Sequence, residues 1–512
     1  DGPNGSKHAS ALRFGSEAMS PKATHLGRPA VACESEEHDC CVAGGGKAIP
    51  VSDVLDALPL GRFHALHLAR QVIAWAVFSI SQEITPYLFP GLQRDFSVGR
   101  PDLAHLASSS ALGCVLGSIA ACVLVDEWGR RATMLTAAPV AFMLNLCMAM
   151  APSFGVVLIL RGIQAAAWAM VKTAIVAWYA EFLPTHSRGL LMAAVSLGYP
   201  LGRGLVIVTA SNTHEAWRPL CVLSAAGFAT LSVLIYFAPE SPRFLVLRGQ
   251  QAAARGALRL MHTINGSKLD WDGDVPLCIA HNATEQSSMS SSYRLRMLFG
   301  PNLRLFIFSL TLFGMLSVTT VLIDTWGPGV FQRLISPGAR ELPHMVLLLF
   351  NFGDLGGTVL SVFLADRLGR RGSFFIGFFF QAALFGAMAR TALLNQTSSA
   401  PLAMAFGTAA SACRCFAWEA AHFWTLEAFS TELRGMAIGI STANMRILSV
   451  IALEVSSWYV GDLNAFLALS TFSVLLGASG VVALLSMPME TAGAPMSEGR
   501  VVQATSLCMN DV

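Results

Sequence analysis

Runs of about 20 mainly apolar residues recur along the chain, separated by short polar segments, and each is long enough to cross a bilayer as a helix. They predict twelve spans, at roughly 66–88, 103–125, 132–151, 154–179, 189–210, 218–237, 303–325, 343–365, 372–391, 401–426, 435–457 and 464–487. The runs are continuous rather than alternating. That favours helices over a β-barrel, because backbone groups in lipid must bond internally. The polar stretch 238–302 divides the spans six and six. Within it, Ala254, Leu258 and Met261 recur at i, i+4 and i+7 beside Arg255 and Arg259. This predicts a short amphipathic helix over Gln250–Asn265, followed by a Ser- and Asn-rich loop. The expected organisation is a disordered tail at 1–60, a six-helix half at 61–237 and a central loop at 238–302. A second six-helix half at 303–490 and a C-terminal tail at 491–512 follow.

Composition agrees with this pattern. Of 512 residues, 54% are hydrophobic and 13% charged, against about 25% charged in an ordinary soluble domain. A disulfide scaffold, a disordered chain and a nucleic-acid binder are excluded. The 11 cysteines are too sparse for a disulfide framework. Most lie in apolar runs as packing residues, while Cys40-Cys41 in the polar tail offers a weak acylation site. No apolar stretch of signal-peptide type occurs in residues 1–60. With both tails on one side, the loops of that side carry 14 Lys/Arg against four on the other, or six with two boundary residues. Both termini are therefore expected in the cytoplasm. Asn395 would then face outside, within reach of glycosylation.

The chain also repeats itself. Asp126-Glu-Trp-Gly129-Arg130-Arg131 recurs as Asp366-Arg-Leu-Gly369-Arg370-Arg371, 240 residues later. Glu181-Phe-Leu-Pro-Thr-His-Ser-Arg188-Gly recurs as Glu427-Ala-Phe-Ser-Thr-Glu-Leu-Arg434-Gly, 246 residues later. Pro239-Glu240-Ser-Pro-Arg243 is echoed by Pro488-Met-Glu490-Thr, 249 residues later. The near-constant offset means that one six-helix unit was duplicated. A parallel repeat of this kind places a solute between the halves near the bilayer midplane. The glycines permit tight turns. The repeated acids and arginines are either positive-inside anchors or a gate that locks in one state and releases in another.

On these motifs the chain resembles the major facilitator superfamily, through D-x-x-G-R-R after the second and eighth spans. P-E-S-P-R after the sixth span and P-x-E-T after the twelfth resemble its sugar and organic-ion branches. Narrower still is a resemblance to the synaptic-vesicle-protein-like branch, which includes nicotinate and aromatic-acid porters. It rests on Gly61-Arg-Phe-His64, Tyr179-Ala-Glu-Phe-Leu-Pro-Thr185, Asp354-Leu-Gly-Gly357 and Met445-Arg446-Ile447. The resemblance implies an all-α membrane protein with twelve transmembrane helices and alternating access. In two places the chain departs from the family. Cys122 and Val362 stand where the family has the glycine that packs the second span on the eleventh and the eighth on the fifth. The seventh span lacks the glutamines of hexose porters, which disfavours a hexose.

Ionisable residues inside a span are costly, and so are functional candidates. Here they are Glu83, Arg161, Lys172, Arg203, Asp354, Arg414, Glu419, His422, Arg446 and Glu454, with Asp324 near the end of the seventh span. Arg161 and Lys172, 11 apart, share a helix face, and Arg414, Glu419 and His422 fall in one sector. The family lines its cavity with spans 1, 4, 7 and 10. Glu83 is the expected proton-coupling group, since a carboxyl in a cavity of low polarity can exchange a proton near neutral pH. Asp354 is second, and can instead pair with Arg203 or Arg446. Arg161 and Arg414 are expected to hold an anionic solute through their forked guanidinium groups, with Glu419, His422 and Trp418 beside them. Gly198-Tyr-Pro-Leu-Gly-Arg-Gly204 resembles an antiporter motif of some facilitators; as residues alone it is a packing or kink site. Gating is expected of the repeated residues Asp126 to Glu490 quoted above, and of Arg446.

The expected function is secondary transport of a small organic solute, an organic anion such as a carboxylate, coupled to protons. A facilitative sugar or organic-cation transporter, or a non-transporting vesicle or receptor protein, are the alternatives. No zinc-protease, nucleophile-elbow or P-loop motif occurs, so an enzyme is not expected. The expected partners are the solute, protons and the bilayer of a plasma or vesicle membrane. The chain is expected to act as a monomer without nucleic acid, cofactor or metal.

Overall fold

A computed structural model describes residues 49–185, 187–214, 216–266, 276–278, 291–335, 344–393, 396–429, 431–457 and 464–488. Twelve long helices follow one another: α1 (Arg62–Phe96), α2 (Arg100–Glu127), α3 (Arg130–Ala149), α4 (Phe154–Ala180), α5 (Leu190–Asn212) and α6 (Trp217–Tyr236) in the first half. The second half holds α7 (Leu303–Ile335), α8 (His344–Leu364), α9 (Arg367–Thr391), α10 (Gln396–Ala428), α11 (Thr431–Ser457) and α12 (Ala465–Ser486). Eleven are long and apolar enough to cross a membrane, and α10 carries Arg414, Glu419 and His422 along the same length.

Three packing relations between helices recur in both halves. Helix α1 packs on α5 as α7 does on α11, α2 on α4 as α8 on α10, and α3 on α6 as α9 on α12. The glycines explain the tightest of these. A Cβ on Gly113 or Gly117 of α2 would stand 2.0 and 2.1 Å from the carbonyl oxygens of Gly162 and Ala166 in α4. On Gly353 or Gly357 of α8 it would stand 2.2 and 2.3 Å from those of Thr408 and Ala412 in α10. These positions are offset by the same 240 and 246 residues as the loop motifs. The duplication is therefore written into backbone-to-backbone packing as well as into charge, as small residues at a membrane helix interface allow.

The halves meet through α2 on α11 and α5 on α8, despite the loss of the family's glycine at 122 and 362. Two expectations are corrected. Helix α7 runs eleven residues past Asp324, because Thr325, Trp326, Val330, Phe331 and Leu334 are buried and their packing outweighs the Gly327-Pro328 breaker. Residues 49–60 are not a loose tail. Ile49–Pro50 pairs in parallel with Leu277–Cys278, and Val51–Ala57 forms a helix with Val51, Val54 and Leu55 buried.

The central loop begins with helices Pro242–Leu247 and Gln251–Asn265, the second burying Ala254, Ala257, Leu258 and Met261. Its last residue reaches the start of α1. Asn265 Oδ1 accepts from the Phe63 amide at 2.8 Å, and Asn265 Nδ2 donates to Pro59 O. A Cβ on Gly61 would lie 2.6 Å from Asn265 Oδ1, which accounts for the glycine of the Gly61-Arg-Phe box.

Candidate functional site

Polar side chains that lipid would not tolerate converge between the halves. Arg203 of α5 sits at the centre. Its Nη1 lies 2.9 Å from Asp354 Oδ2 of α8, its Nη2 3.2 Å from Asp324 Oδ1 of α7, and its Nε 3.5 Å from Glu83 Oε2 of α1. Arg414 of α10 holds the same two aspartates, at 2.7 Å to Asp324 and 2.6 Å to Asp354. Glu83 is 3% exposed and also accepts a hydrogen bond from the Tyr199 hydroxyl. The cluster thus sets three carboxylates against two guanidinium groups, and Asp354 Oδ1 is buried without a hydrogen-bond partner among the described residues. Arg203 ties the first half to the second. Segment 198–204, a packing or kink site by sequence, presses Gly198 and Gly202 onto the α1 carbonyls of Val72 and Ala76. That close approach carries Tyr199 and Arg203 into the cluster.

A second group adjoins the first. Lys172 Nζ lies 4.2 Å from the Phe78 ring centroid and 5.5 Å from that of Trp75, and the Arg446 guanidinium 5.7 Å from that of Trp168. The two cations sense each other's charge. Among the described residues neither has a carboxylate partner. Arg446 donates to Gln82 Oε1, at 3.3 Å. Across from them, Trp418 donates to Thr320 Oγ1 at 3.1 Å, His422 stacks on Trp418, and Glu419 interacts with Ser196 of the other half.

Several expected site residues therefore change place. Arg161 is fully buried in the α1–α4 joint, where its guanidinium donates to Ser81 O (2.6 Å), Thr85 Oγ1 (2.8 Å) and Gln164 Oε1 (2.9 Å). Its guanidinium is spent on joining two helices. Arg414 is occupied by two aspartates. Arg446, expected in a gate, lies instead over Trp168 and beside Gln82, away from the repeated loops. Glu83, Asp354, Glu419, His422 and Trp418 do lie between the halves. Reading the residues singly missed Arg203, Asp324 and Lys172 as site members, although all three stood among the charges inside spans. Tyr199 and Gln82 carried no such signal.

The repeated loops form matched clusters within each half. Arg130 Nε donates to Glu181 at 3.0 Å, and Arg370 Nε to Glu427 at 3.0 Å. Each guanidinium also lies over a ring, Phe244 at 5.1 Å and Phe423 at 5.0 Å. Asp126 stands 3.5 Å from Arg130, and Arg188 donates to Leu183 O. Arg131 caps the end of α6 through Tyr236 O at 2.7 Å, while Glu240 accepts from the Arg131 amide. Gly129 and Gly369 have φ of 100° and 71°, a region open to glycine at little cost. Arg243 is half-buried and Arg371 exposed. Burial holds the Glu240 carboxyl above the ordinary glutamate range. The side chains of Asp366 and Arg434, and all of Glu490, Asn395, Cys40 and Cys41, lie outside the described residues. On the side away from these loops, cross-half contacts gather: Phe89 with Trp326, Tyr87 with His344, and His105 with Glu454 at 3.1 Å.

Comparison with known proteins gives a consistent picture. Residues 92–501 match the family described as sugar (and other) transporters. The chain is 24% identical over 475 residues to a synaptic vesicle 2-related protein of Pongo abelii, covering 88% of this chain and 82% of that one. It is 22% identical over 501 residues to an organic cation/carnitine transporter 7 of Arabidopsis thaliana, covering 89% and 97%. A crystal structure of a D-xylose-proton symporter superposes with a TM-score of 0.64 at 18% identity, covering 86% of this chain and 99% of the other.

Proposed function

The chain belongs to the sugar (and other) transporter family, a multi-pass membrane family of the major facilitator fold, and from that premise we propose that it is a proton-coupled transporter of a small organic anion. The observation that carries this reading is the uneven distribution of charge between the halves. Three carboxylates face two arginines at Glu83, Asp324 and Asp354, leaving one negative charge for a proton to neutralise. Next to them lie two basic groups, Lys172 and Arg446, with no acid partner among the described residues, on a wall of Trp75, Phe78 and Trp168. A carboxylate supplies the missing partner, and Arg446 offers it a forked donor. Movement of the two halves about Arg203 then exposes the site to either side in turn. Glu83 takes the proton, with Asp354 as the second carboxyl.

Uptake into proteoliposomes, with and without a pH gradient, tests the coupling. Glu83→Gln is expected to abolish gradient-driven accumulation and leave exchange of solute intact. Full gradient-driven uptake by that variant refutes the assignment. A thermal-shift screen of nicotinate, aromatic acids, sugars, phosphate and organic cations tests the solute class. An organic cation is the second reading, because the negative surplus of the carboxylate cluster would suit it. Stabilisation by cations alone decides for it.

A further inference from the structure

Among the described residues a chain of hydrogen bonds with a fixed direction joins Arg446 to the carboxylate cluster. A guanidinium group only donates. Arg446 faces Gln82 at 3.3 Å, so the oxygen of the Gln82 amide must be turned toward it. The amide nitrogen then points the other way and donates to the Tyr199 hydroxyl at 3.1 Å. With that lone pair used, the one proton of the hydroxyl goes to Glu83 Oε1. The chain therefore runs from α11 through α1 and α5 and ends on an oxygen that must accept.

We propose that Gln82 and Tyr199 are positioning residues that couple the solute site to the proton site. The inference rests on the proton-coupled anion reading above. While Arg446 holds Gln82, the chain ends on an ionised Glu83. When a solute carboxylate takes Arg446, the Gln82 amide is free to turn over. Tyr199 then donates to the amide oxygen, and its lone pair faces Glu83. A hydronium ion in cavity water gives up one proton, an O–H bond forms on Glu83, and that group donates to Tyr199. Solute and proton are thereby taken up together, with no direct contact between their sites. The other groups facing Glu83 are Arg203 of α5, Asp324 of α7, Arg414 of α10 and Tyr87 of its own helix, with Asp354 of α8 reached through Arg203. None of these touches Arg446, so they set the charge at Glu83 without reporting the solute.

The test needs no solute. In infrared pH-difference spectra of the purified full chain, the carboxylic-acid band lost in Glu83→Gln identifies this group. Arg446→Met and Gln82→Leu are each expected to displace the midpoint of that band by about one pH unit, the scale of one hydrogen bond to a charged group. Lys172→Met, which removes the neighbouring basic group outside the chain, displaces it less. In a Tyr199→Phe background the effect of Arg446→Met shrinks to that of Lys172→Met. Equal effects of the two cation variants, or an Arg446 effect that survives Tyr199→Phe, overturn the relay alone. Absence of any Glu83 band between about pH 5 and 9 overturns the proton-site reading, and the relay with it.

Discussion

Arg203 bridges the two halves through buried ion pairs, and its removal has a calculable effect. Its three nitrogens meet Glu83, Asp324 and Asp354 at 2.9–3.5 Å, and all four side chains are at most 14% exposed. Breaking a buried pair by deleting one partner costs about 3–5 kcal/mol, because the remaining charge is left uncompensated. Arg203→Met leaves three carboxylates facing Arg414 alone. Thermal unfolding of the purified protein, followed by tryptophan fluorescence, should fall by about 6–10 °C, taking roughly 2 °C per kcal/mol for a large chain. The diagnostic step is the double variant. Adding Asp324→Asn returns the cluster to a surplus of one negative charge, and should recover about half of the loss or more. Arg203→Lys should fall between, since one ammonium cannot meet three acceptors set around a guanidinium plane. If the single and double variants melt together, or Arg203→Met melts within about 1 °C of the parent, charge balance is not what holds the cluster.

Three further outcomes follow from the packing and the loops. Gly117→Leu and Gly357→Leu should be comparably destabilising, by about 3 kcal/mol or more, because each places a side chain within 2.1–2.3 Å of a neighbouring carbonyl; a large difference in melting would show that the two joints are not equivalent. Asn265→Ala should lower stability by about 1 kcal/mol through loss of the α1 cap, and Gly61→Ala, which meets the same side chain from the other side, should do at least as much in the same melting assay. Glu240 has its folded pKa raised by burial, so the folded state binds the proton more tightly than the unfolded one. Stability at this site therefore grows as pH falls through a window just above the ordinary glutamate range, and Glu240→Gln should flatten that part of a melting-temperature profile against pH.

Sequence reading placed the twelve helices well because lipid enforces long apolar runs, and it found the repeat because charges and glycines stand out against them. It misjudged what the polar residues touch. Arg161 and Arg414 were indistinguishable as lone cations on apolar helices. One proves to be spent on Ser81, Thr85 and Gln164, the other on Asp324 and Asp354. Periodicity gives a side chain's face, but not the register between helices more than a hundred residues apart. Asp324 was read as lying near a span end because the apolar run stops at about residue 325, whereas buried neighbours carry the helix onward. The glycines at 113, 117, 353 and 357 were legible as residues, yet their meaning needed the carbonyls they face.

The cap on α1 has a consequence for biosynthesis. Phe63 and the Asn265 that receives its amide are 202 residues apart. At about 5–20 residues per second, α1 leaves the ribosome roughly 10–40 seconds before the residue that finishes its first turn exists. During that interval its leading end carries unpaired amides at the membrane surface, held by water alone. The cap on α1 can form only once the chain beyond α6 has been made and has folded back. A nascent chain arrested before residue 265 should therefore hold six inserted helices whose first remains open to exchange at its start, and release of a few more residues should seal it.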